Sequence, residues 1–332
     1  MAAEDIRDPR DVESHPRRHT TLYGHAAAEE RLLSAVKSGK LHHAWLITGA
    51  EGIGKATLAY RFARFLLSQS APSARTLAIS PDHPAARQIA ASAHPDLLTL
   101  ERAFDGKKLK TEIAVEDVRS TTSFFAHTAG AGGWRVCIVD EAGDLNKASA
   151  NALLKILEEP PQRAVFLIVC HRIGAILPTI RSRCIHLPLA PLADANVRRV
   201  LEEVDAGALS EGAIALSGGS PGRALKLATS RGAKAFEAFR KLPRLTVPAA
   251  VEIGAQFAHR DSADDLTMFG ELLSGWIAAE ARRRISSGGA ARLAHVHGEI
   301  VASLRKADAL NLDRRQTAVD ALLLLDEALK AS

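Results

Sequence analysis

Cysteine is scarce in this sequence. Cys137, Cys170 and Cys184 are the only three among 332 residues, and no two of them form a C-x-x-C pair. Three cysteines are too few for a disulfide framework or a four-cysteine zinc site. Each lies in or beside an apolar run, which is typical of buried free thiols. The sequence therefore indicates a protein of a reducing compartment.

Long apolar runs and aromatic residues are also in short supply. No uninterrupted apolar stretch approaches the roughly 20 residues of a membrane span, and the polar first 19 residues contain no apolar core of a secretory signal. Aromatic residues make up 5%, and no basic face interleaved with aromatics is visible. The net charge of +5 suits an anionic partner. These features predict a soluble, cytoplasmic protein.

Short apolar runs alternate with helical patterns in the first part of the chain. This alternation predicts an α/β fold with a mostly parallel, doubly wound sheet covered on both faces. After Pro191 only helical patterns follow. The predicted divisions are a flexible arm at 1–19, a nucleotide-type α/β core at 20–190, a helical lid at 191–240 and a C-terminal helical domain at 241–332.

The first chemistry-bearing stretch is G-A-E-G-I-G-K-A-T at residues 49–57. It follows an apolar run and precedes a helical pattern, as a phosphate-binding loop requires. Its glycines, Gly49, Gly52 and Gly54, let backbone N–H groups turn toward phosphate oxygens at a helix N-terminus. Lys55 would reach the β- and γ-phosphates.

The loop departs from the G-x-x-x-x-G-K-[ST] pattern at its last position. Ala56 stands where a hydroxyl should bind Mg²⁺, and Thr57, one residue later, is rotated by about 100° on a helix. The sequence therefore predicts phosphate-binding geometry without the usual metal ligand.

The apolar run I-V ends at Asp140 and Glu141. In phosphate-loop enzymes the first carboxylate holds Mg²⁺ and the second polarises the attacking water. An acidic strand end without a role is the alternative for a lone D-E pair. The phosphate loop in the same chain favours the functional interpretation.

Two further stretches carry arginines. In T-I-R-S-R-C, Arg183 could reach a neighbouring subunit's γ-phosphate as an arginine finger, with Arg181 as its local competitor. From the pattern alone, a solvated turn is favoured. Arg223 follows S-G-G-S-P-G and could either fold over a bound phosphate or simply begin a helix. The pattern leaves both open.

Four strings together resemble the bacterial clamp-loader family of AAA+ ATPases, over about residues 20–230: L-H-H-A-W-L-I-T-G-A-E-G-I-G-K-A-T-L-A, W-R-V-C-I-V-D-E-A, N-K-A-S-A-N-A-L-L-K-I-L-E-E-P-P and L-P-T-I-R-S-R-C. The resemblance implies a P-loop AAA+ core, a helical lid and a helical collar that assembles the oligomer. It also implies Arg183 as an arginine finger acting in trans. The implied nucleotide-binding residues are Gly49, Gly52, Gly54, Lys55, Ala56, Thr57, Asp140, Glu141 and Arg223.

Three departures from the family's motor subunits resemble its non-motor type. Ala56 lacks the metal-binding hydroxyl, Gly143 replaces the usual His, and Cys170-His171 replaces the pair that senses the γ-phosphate. They imply a stator with weak or absent ATPase activity, with ATP or ADP possible and Mg²⁺ weak or absent. The family's zinc module would lie at 68–95, where no cysteine occurs, so no zinc is expected.

The implied partners are motor subunits of gamma or tau type, a delta-type clamp opener and, through the complex, the sliding clamp and primed DNA. The alternative is an active motor ATPase of gamma or tau type or a related AAA+ DNA-remodelling ATPase. Ala56 argues against that alternative. A stripe in the last domain is predicted to face partners: Leu266, Phe269, Leu273, Trp276 and Ile277.

Overall fold

The computed structural model describes Asp8, Arg10, Val12 and residues 14–69, 74–126, 133–204, 211–259, 262–285 and 289–330. The chain forms two compact units. The first consists of Met1–Gly207 and Gly218–Gly222, and the second of Ala208–Ser217 and Arg223–Ser332. None of the described helices is both long enough and apolar enough to cross a membrane.

The first unit contains a five-stranded sheet in the order β2-β3-β4-β1-β5, with every neighbouring pair parallel. A parallel sheet covered on both faces needs apolar residues throughout its central strands, and every residue of the central strand β4 is buried. The predicted α/β fold with a parallel sheet is confirmed. The strands are β1 Ala44–Thr48, β2 Leu97–Leu100, β3 Arg135–Val139, β4 Ala164–Cys170 and β5 Ile185–Pro188.

Seven helices of the described chain accompany this sheet. Two short ones, α3 and α6, were not predicted from periodicity; each begins with a proline at its first turn, a position that proline favours. The helices are α1 Ala26–Lys37, α2 Lys55–Leu67, α3 Pro84–Ala90, α4 Val115–Ala126, α5 Lys147–Glu158, α6 Pro178–Arg181 and α7 Asp194–Glu203.

The core around this sheet brings the chemistry-bearing residues to one edge. Leu58 and Phe62 of α2 are buried completely, as are Leu153 of α5 and Phe166 of β4. The phosphate loop follows β1, and the acidic pair follows β3. Since the carboxyl ends of parallel strands meet on the same side of a sheet, the two motifs lie on that side, with the end of β4 between them.

The described part of the predicted flexible arm is attached to this core. Arg64 of α2 is 2% exposed and donates hydrogen bonds to three backbone carbonyls, those of Pro16 (3.0 Å), Arg17 (2.6 Å) and His19 (3.4 Å). Burial lowers the pKa of Arg64 to about 10. The arginine therefore ties residues 16–19 to the helix that follows the phosphate loop.

The second unit is helical throughout its described part. Its core runs from Leu227 to Ala328, so residues 223–240 share one core with the C-terminal helices. The compact division thus differs from the predicted lid and collar boundaries, and α7 belongs to the first unit. The helices are α8 Glu211–Leu216, α9 Pro221–Thr229, α10 Arg231–Lys241, α11 Val247–Ala255, α12 Ala263–Arg283, α13 Ala290–Leu310 and α14 Arg314–Lys330.

The stripe that was predicted to face partners is part of this core, so that prediction is wrong. Leu266, Phe269, Leu273 and Ile277 are each at most 5% exposed. Trp276 meets the ring of Phe239 edge-on at 5.1 Å between centroids. Periodicity identified the apolar face of α12 correctly, but the unit's own helices cover it.

Candidate functional site

The loop between β1 and α2 has a backbone that requires glycine. Gly49, Gly52 and Gly54 have φ angles of 144°, 74° and 103°, which side chains strongly disfavour. A Cβ atom at Gly49 would also lie 2.5 Å from the carbonyl oxygen of Leu189. Gly54 caps the N-terminus of α2. This is a glycine-rich turn opening a helix, the arrangement that binds phosphates.

The chain segment at 218–222 packs against the phosphate loop and donates hydrogen bonds to it. The Ser220 hydroxyl donates to the carbonyl oxygen of Glu51 at 2.7 Å, and the N–H of Gly222 donates to that of Gly52 at 3.0 Å. A Cβ atom at Gly222 would approach the Cα of Gly52 to 2.8 Å. The glycine at position 222 is therefore needed for close packing against the phosphate loop.

Lys55, the first residue of α2, is 3% exposed and turned onto the loop itself. Its Nζ donates to the carbonyl oxygen of Ala50 at 2.5 Å. Burial lowers the pKa of Lys55, and the carboxylates of Glu141 and Asp140 oppose that effect. A phosphate in the loop would offer this ammonium a better partner than a neutral carbonyl.

Asp140 is poorly suited to hold its charge. Burial, reinforced by the nearby charge of Glu101, raises the pKa of Asp140 to about 6, although His171 and Lys55 act in the opposite direction. A substantial part of this carboxyl is thus protonated just below neutral pH. A dedicated metal ligand would need to be ionised.

Both oxygens of Glu141 are already engaged. Oε1 accepts the N–H of Gly143 at 2.8 Å, and Oε2 accepts the N–H of His171 at 2.7 Å. The His171 Nδ1 also lies 2.7 Å from Oε2. Burial raises the pKa of Glu141, but the contacts with His171 and Gly143 outweigh it, so the pKa is lowered.

The two sequence departures at positions 143 and 171 therefore meet on one carboxylate. A Cβ atom at Gly143 would collide with Oε1 of Glu141, so any other residue would displace that carboxylate from its place. Sequence reasoning placed His171 at the position that senses a phosphate. It missed the contact with Glu141, for which the sequence holds no local signal.

The residues at the loop fit the phosphates of a nucleotide better than they fit its metal. The glycine backbone and Lys55 supply donors and positive charge. Ala56, the second residue of α2, is half-buried and has no oxygen to offer a cation. Within the described residues, no group of three or more His, Cys, Asp or Glu side chains is arranged to hold a metal ion.

Arg183 lies near the amino ends of the strands, whereas the phosphate loop lies at their carboxyl ends. Arg183 precedes β5 by two residues, and β5 is parallel to β1 with Thr48 beside Pro188. Ile185 lies beside Trp45 and the phosphate loop follows Thr48, so the loop and Arg183 are separated by at least roughly 10 Å along the strand direction. The Arg183 guanidinium donates to the carbonyl oxygen of Thr179 at 2.9 Å and to Glu158 at 2.8 Å, and its side chain is 34% exposed.

The sequence matches the model of a known protein family. The model of the family described as "DNA polymerase III, delta subunit" matches residues 24–193, about half of the chain. The chain belongs to this family. The resemblance carried by the four sequence strings is confirmed at that level.

Curated relatives of this family member are bacterial replication proteins. DNA polymerase III subunit delta' of Pseudomonas aeruginosa is 36% identical over 216 residues, which cover 63% of each chain. The Escherichia coli protein of the same name is 35% identical, over 60% of this chain and 58% of its own. The match thus spans about three fifths of the relatives' length. The E. coli tau subunit is 29% identical over 55% of this chain and 27% of its own.

Among solved structures, a DNA polymerase III gamma subunit-related protein of Thermotoga maritima aligns with 90% of this chain and 99% of its own, at 15% identity and a TM-score of 0.44.

In the second unit of this delta-family chain, Arg223 lies in the first turn of α9 and 3.5 Å from Glu271. Its role over a bound phosphate stays a prediction. The same is true of Thr57, which is half-buried in the first turn of α2, and of Arg181, which is exposed at the end of α6.

Proposed function

We propose that this chain is a clamp-loader subunit of the DNA polymerase III holoenzyme that acts in DNA replication as a largely ATPase-inactive stator. In this role it lends Arg183 to the nucleotide site of a neighbouring motor subunit. One observation carries the proposal: the phosphate loop lies at the carboxyl ends of the parallel strands, and Arg183 lies near their amino ends. An arginine so placed serves a site outside its own chain.

The chain's own nucleotide site supports the stator role. Each oxygen of Glu141 already accepts a backbone hydrogen bond from this chain, which restrains the carboxylate and leaves only its remaining lone pairs for a water. The metal has no hydroxyl ligand at Ala56. The loop glycines and Lys55 would hold the phosphates of ATP or ADP, with Mg²⁺ weak or absent. A bound nucleotide would then stabilise the subunit without being turned over.

The names of the relatives support a set of partners. Relatives of this chain carry the names gamma and tau as well as delta'. We infer that motor subunits of gamma or tau type and a delta-type opener flank this chain in the cytoplasm. The sliding clamp and primed DNA are reached through the complex, and the second unit, with its C-terminal helices, contributes the assembly contacts.

The test replaces Arg183 by Ala in a complex reconstituted with wild-type motor subunits. Fingers of this kind are worth about 10³–10⁵ in rate, so one motor site should lose nearly all hydrolysis while the others keep theirs. ATP hydrolysis stimulated by clamp and primed DNA is measured, with assembly checked by size-exclusion chromatography. Arg183 is half-exposed and pairs with Glu158 at the surface, so we expect its loss to leave assembly normal.

Arg181→Ala is the matched control, because it removes the same charge two residues away. It should leave hydrolysis near the wild-type rate. Loss with Arg181→Ala and none with Arg183→Ala would assign the finger to Arg181. If neither variant changes hydrolysis, the arginine role is wrong.

An active motor ATPase is the second candidate, since Lys55, Asp140 and Glu141 are all present. ATP turnover by the purified chain, compared with Lys55→Ala, separates the two. Turnover near 1 per second, within the usual span of enzymes, that disappears in Lys55→Ala would favour the motor.

A further inference from the structure

Arg183 is paired with an acidic residue to which nothing above gives a role. Its guanidinium donates to the Glu158 carboxylate at 2.8 Å and to the carbonyl oxygen of Thr179 at 2.9 Å. Arg181, two residues earlier, is exposed and forms no ion pair in the part of the chain that the structure describes. The acidic partner thus distinguishes Arg183 from its local competitor.

Both members of this ion pair are carried by elements that share one core. Glu158 is the last residue of α5, whose Leu153 and Leu157 are at most 1% exposed. Ile180 of α6 belongs to the same cluster of buried residues. The N–H of Arg183 donates to the carbonyl oxygen of Ile180 at 3.1 Å. The backbones that carry the pair are therefore fixed relative to each other, so a side chain held between them has a defined place.

The position of Glu158 at the end of α5 calls for a cation beside it. The C-terminus of a helix carries partial negative charge, so an acidic residue in its last turn is destabilising. Pro160 and Pro161 follow the acidic pair, so the helix cannot lengthen and move Glu158 away from its end. Lys155 supplies positive charge to the same turn, but it is Arg183 that contacts the carboxylate.

The ion pair is accessible to a neighbouring molecule. The side chains of Arg183 and Glu158 are 34% and 44% exposed. A guanidinium has five N–H donors, and the contacts with Glu158 and Thr179 engage only part of them, which leaves others for a phosphate. An exposed arginine without such contacts would have to be ordered each time it bound one.

We propose that Glu158 is a positioning residue for Arg183 and holds its guanidinium ready for the γ-phosphate bound to a neighbouring motor subunit. A donor that is placed before the reaction needs no reordering in the transition state. In this role Glu158 acts only through the arginine and does not contact the nucleotide. The inference rests on the proposed function, because it requires Arg183 to act in trans.

The test uses a reconstituted complex in which the motor subunits are linked as one chain and only the phosphate loop beside this subunit is left active. The kcat and KM for ATP are measured with clamp and primed DNA present. Ordering an arginine side chain is worth up to about 30-fold in rate, so Glu158→Ala should lower kcat about 3–30-fold. KM should stay unchanged, because an interaction made only in the transition state appears in kcat.

Glu159→Ala is the matched control, because it removes the same charge from the next position, which is also exposed. It should keep the wild-type kcat. Glu158→Gln keeps an oxygen acceptor for the guanidinium and should recover most of the loss. In the double variant Arg183→Ala/Glu158→Ala, kcat should be no lower than in Arg183→Ala alone, since Glu158 then has nothing to position.

An unchanged or raised kcat in Glu158→Ala would overturn the proposal, as would an equal loss in Glu159→Ala or a changed KM at constant kcat. A further loss in the double variant would also overturn it, because Glu158 would then act on the fold and not on the arginine. If Arg183→Ala costs about 10³–10⁵ in rate while Glu158→Ala costs nothing, only the positioning role fails. If Arg183→Ala costs nothing, the proposed function fails and this inference fails with it.

Discussion

Replacing Asp140 by Asn should stabilise the protein at neutral pH. The carboxyl has an ordinary pKa of 3.8, which burial raises to about 6 in the folded chain. At 1.36 kcal/mol for each pH unit of that difference, the cost of ionising it at pH 7 is up to about 3 kcal/mol. The side chain keeps some solvent exposure, so we expect a gain of about 1–2 kcal/mol in the free energy of unfolding.

The sign of the pH dependence follows from the raised pKa. A carboxyl whose pKa is higher in the folded state destabilises the fold when both states are ionised, above about pH 6. The cost shrinks as the pH falls through 6 and disappears below about 4, because the group is then protonated in the folded and unfolded chain alike. The advantage of Asp140→Asn should therefore be full at pH 7 and shrink steadily below pH 6.

Urea unfolding followed by circular dichroism between pH 4.5 and 7.5 measures this difference. Asp82→Asn, at an exposed position, is the control and should change little. A variant that is less stable than the wild type at pH 7 would refute the reasoning. So would a gain that does not vary with pH, since it would come from something other than the charge of Asp140.

Two further outcomes are expected. Ala56→Thr alone should not give brisk ATP turnover, because the backbone N–H groups of His171 and Gly143 and the His171 ring still contact Glu141. Adding His171→Ser removes the imidazole Nδ1 from beside Oε2, leaves the backbone N–H in place, and should raise turnover above the single variant. Brisk turnover by Ala56→Thr alone would show that His171 does not restrain the site. Arg64→Ala should lower the free energy of unfolding by about 2–4 kcal/mol and expose residues 14–19 to limited proteolysis, since it removes three hydrogen bonds to part-buried carbonyls. Equal protease resistance of both proteins would mean that Arg64 does not hold the segment.

The sequence by itself determined the kinds of elements and their order. Runs such as 135–139 and 164–169 are short and apolar at nearly every position, as a strand buried on both faces requires, and the structure has strands at Arg135–Val139 and Ala164–Cys170. The glycines around Lys55 marked the phosphate loop because a left-handed backbone is a local requirement. Local rules of this kind act over a few residues and can be read along the chain.

Tertiary structure alone decided which groups meet. Glu141 contacts a residue 30 positions away at the end of another strand, and Arg64 contacts carbonyls more than 40 positions earlier. Helical periodicity showed that Leu273 faces something apolar, but it could not show whether a partner or the chain's own helices cover it. A side chain's neighbours depend on how distant segments pack, and a pattern along one segment does not contain that information.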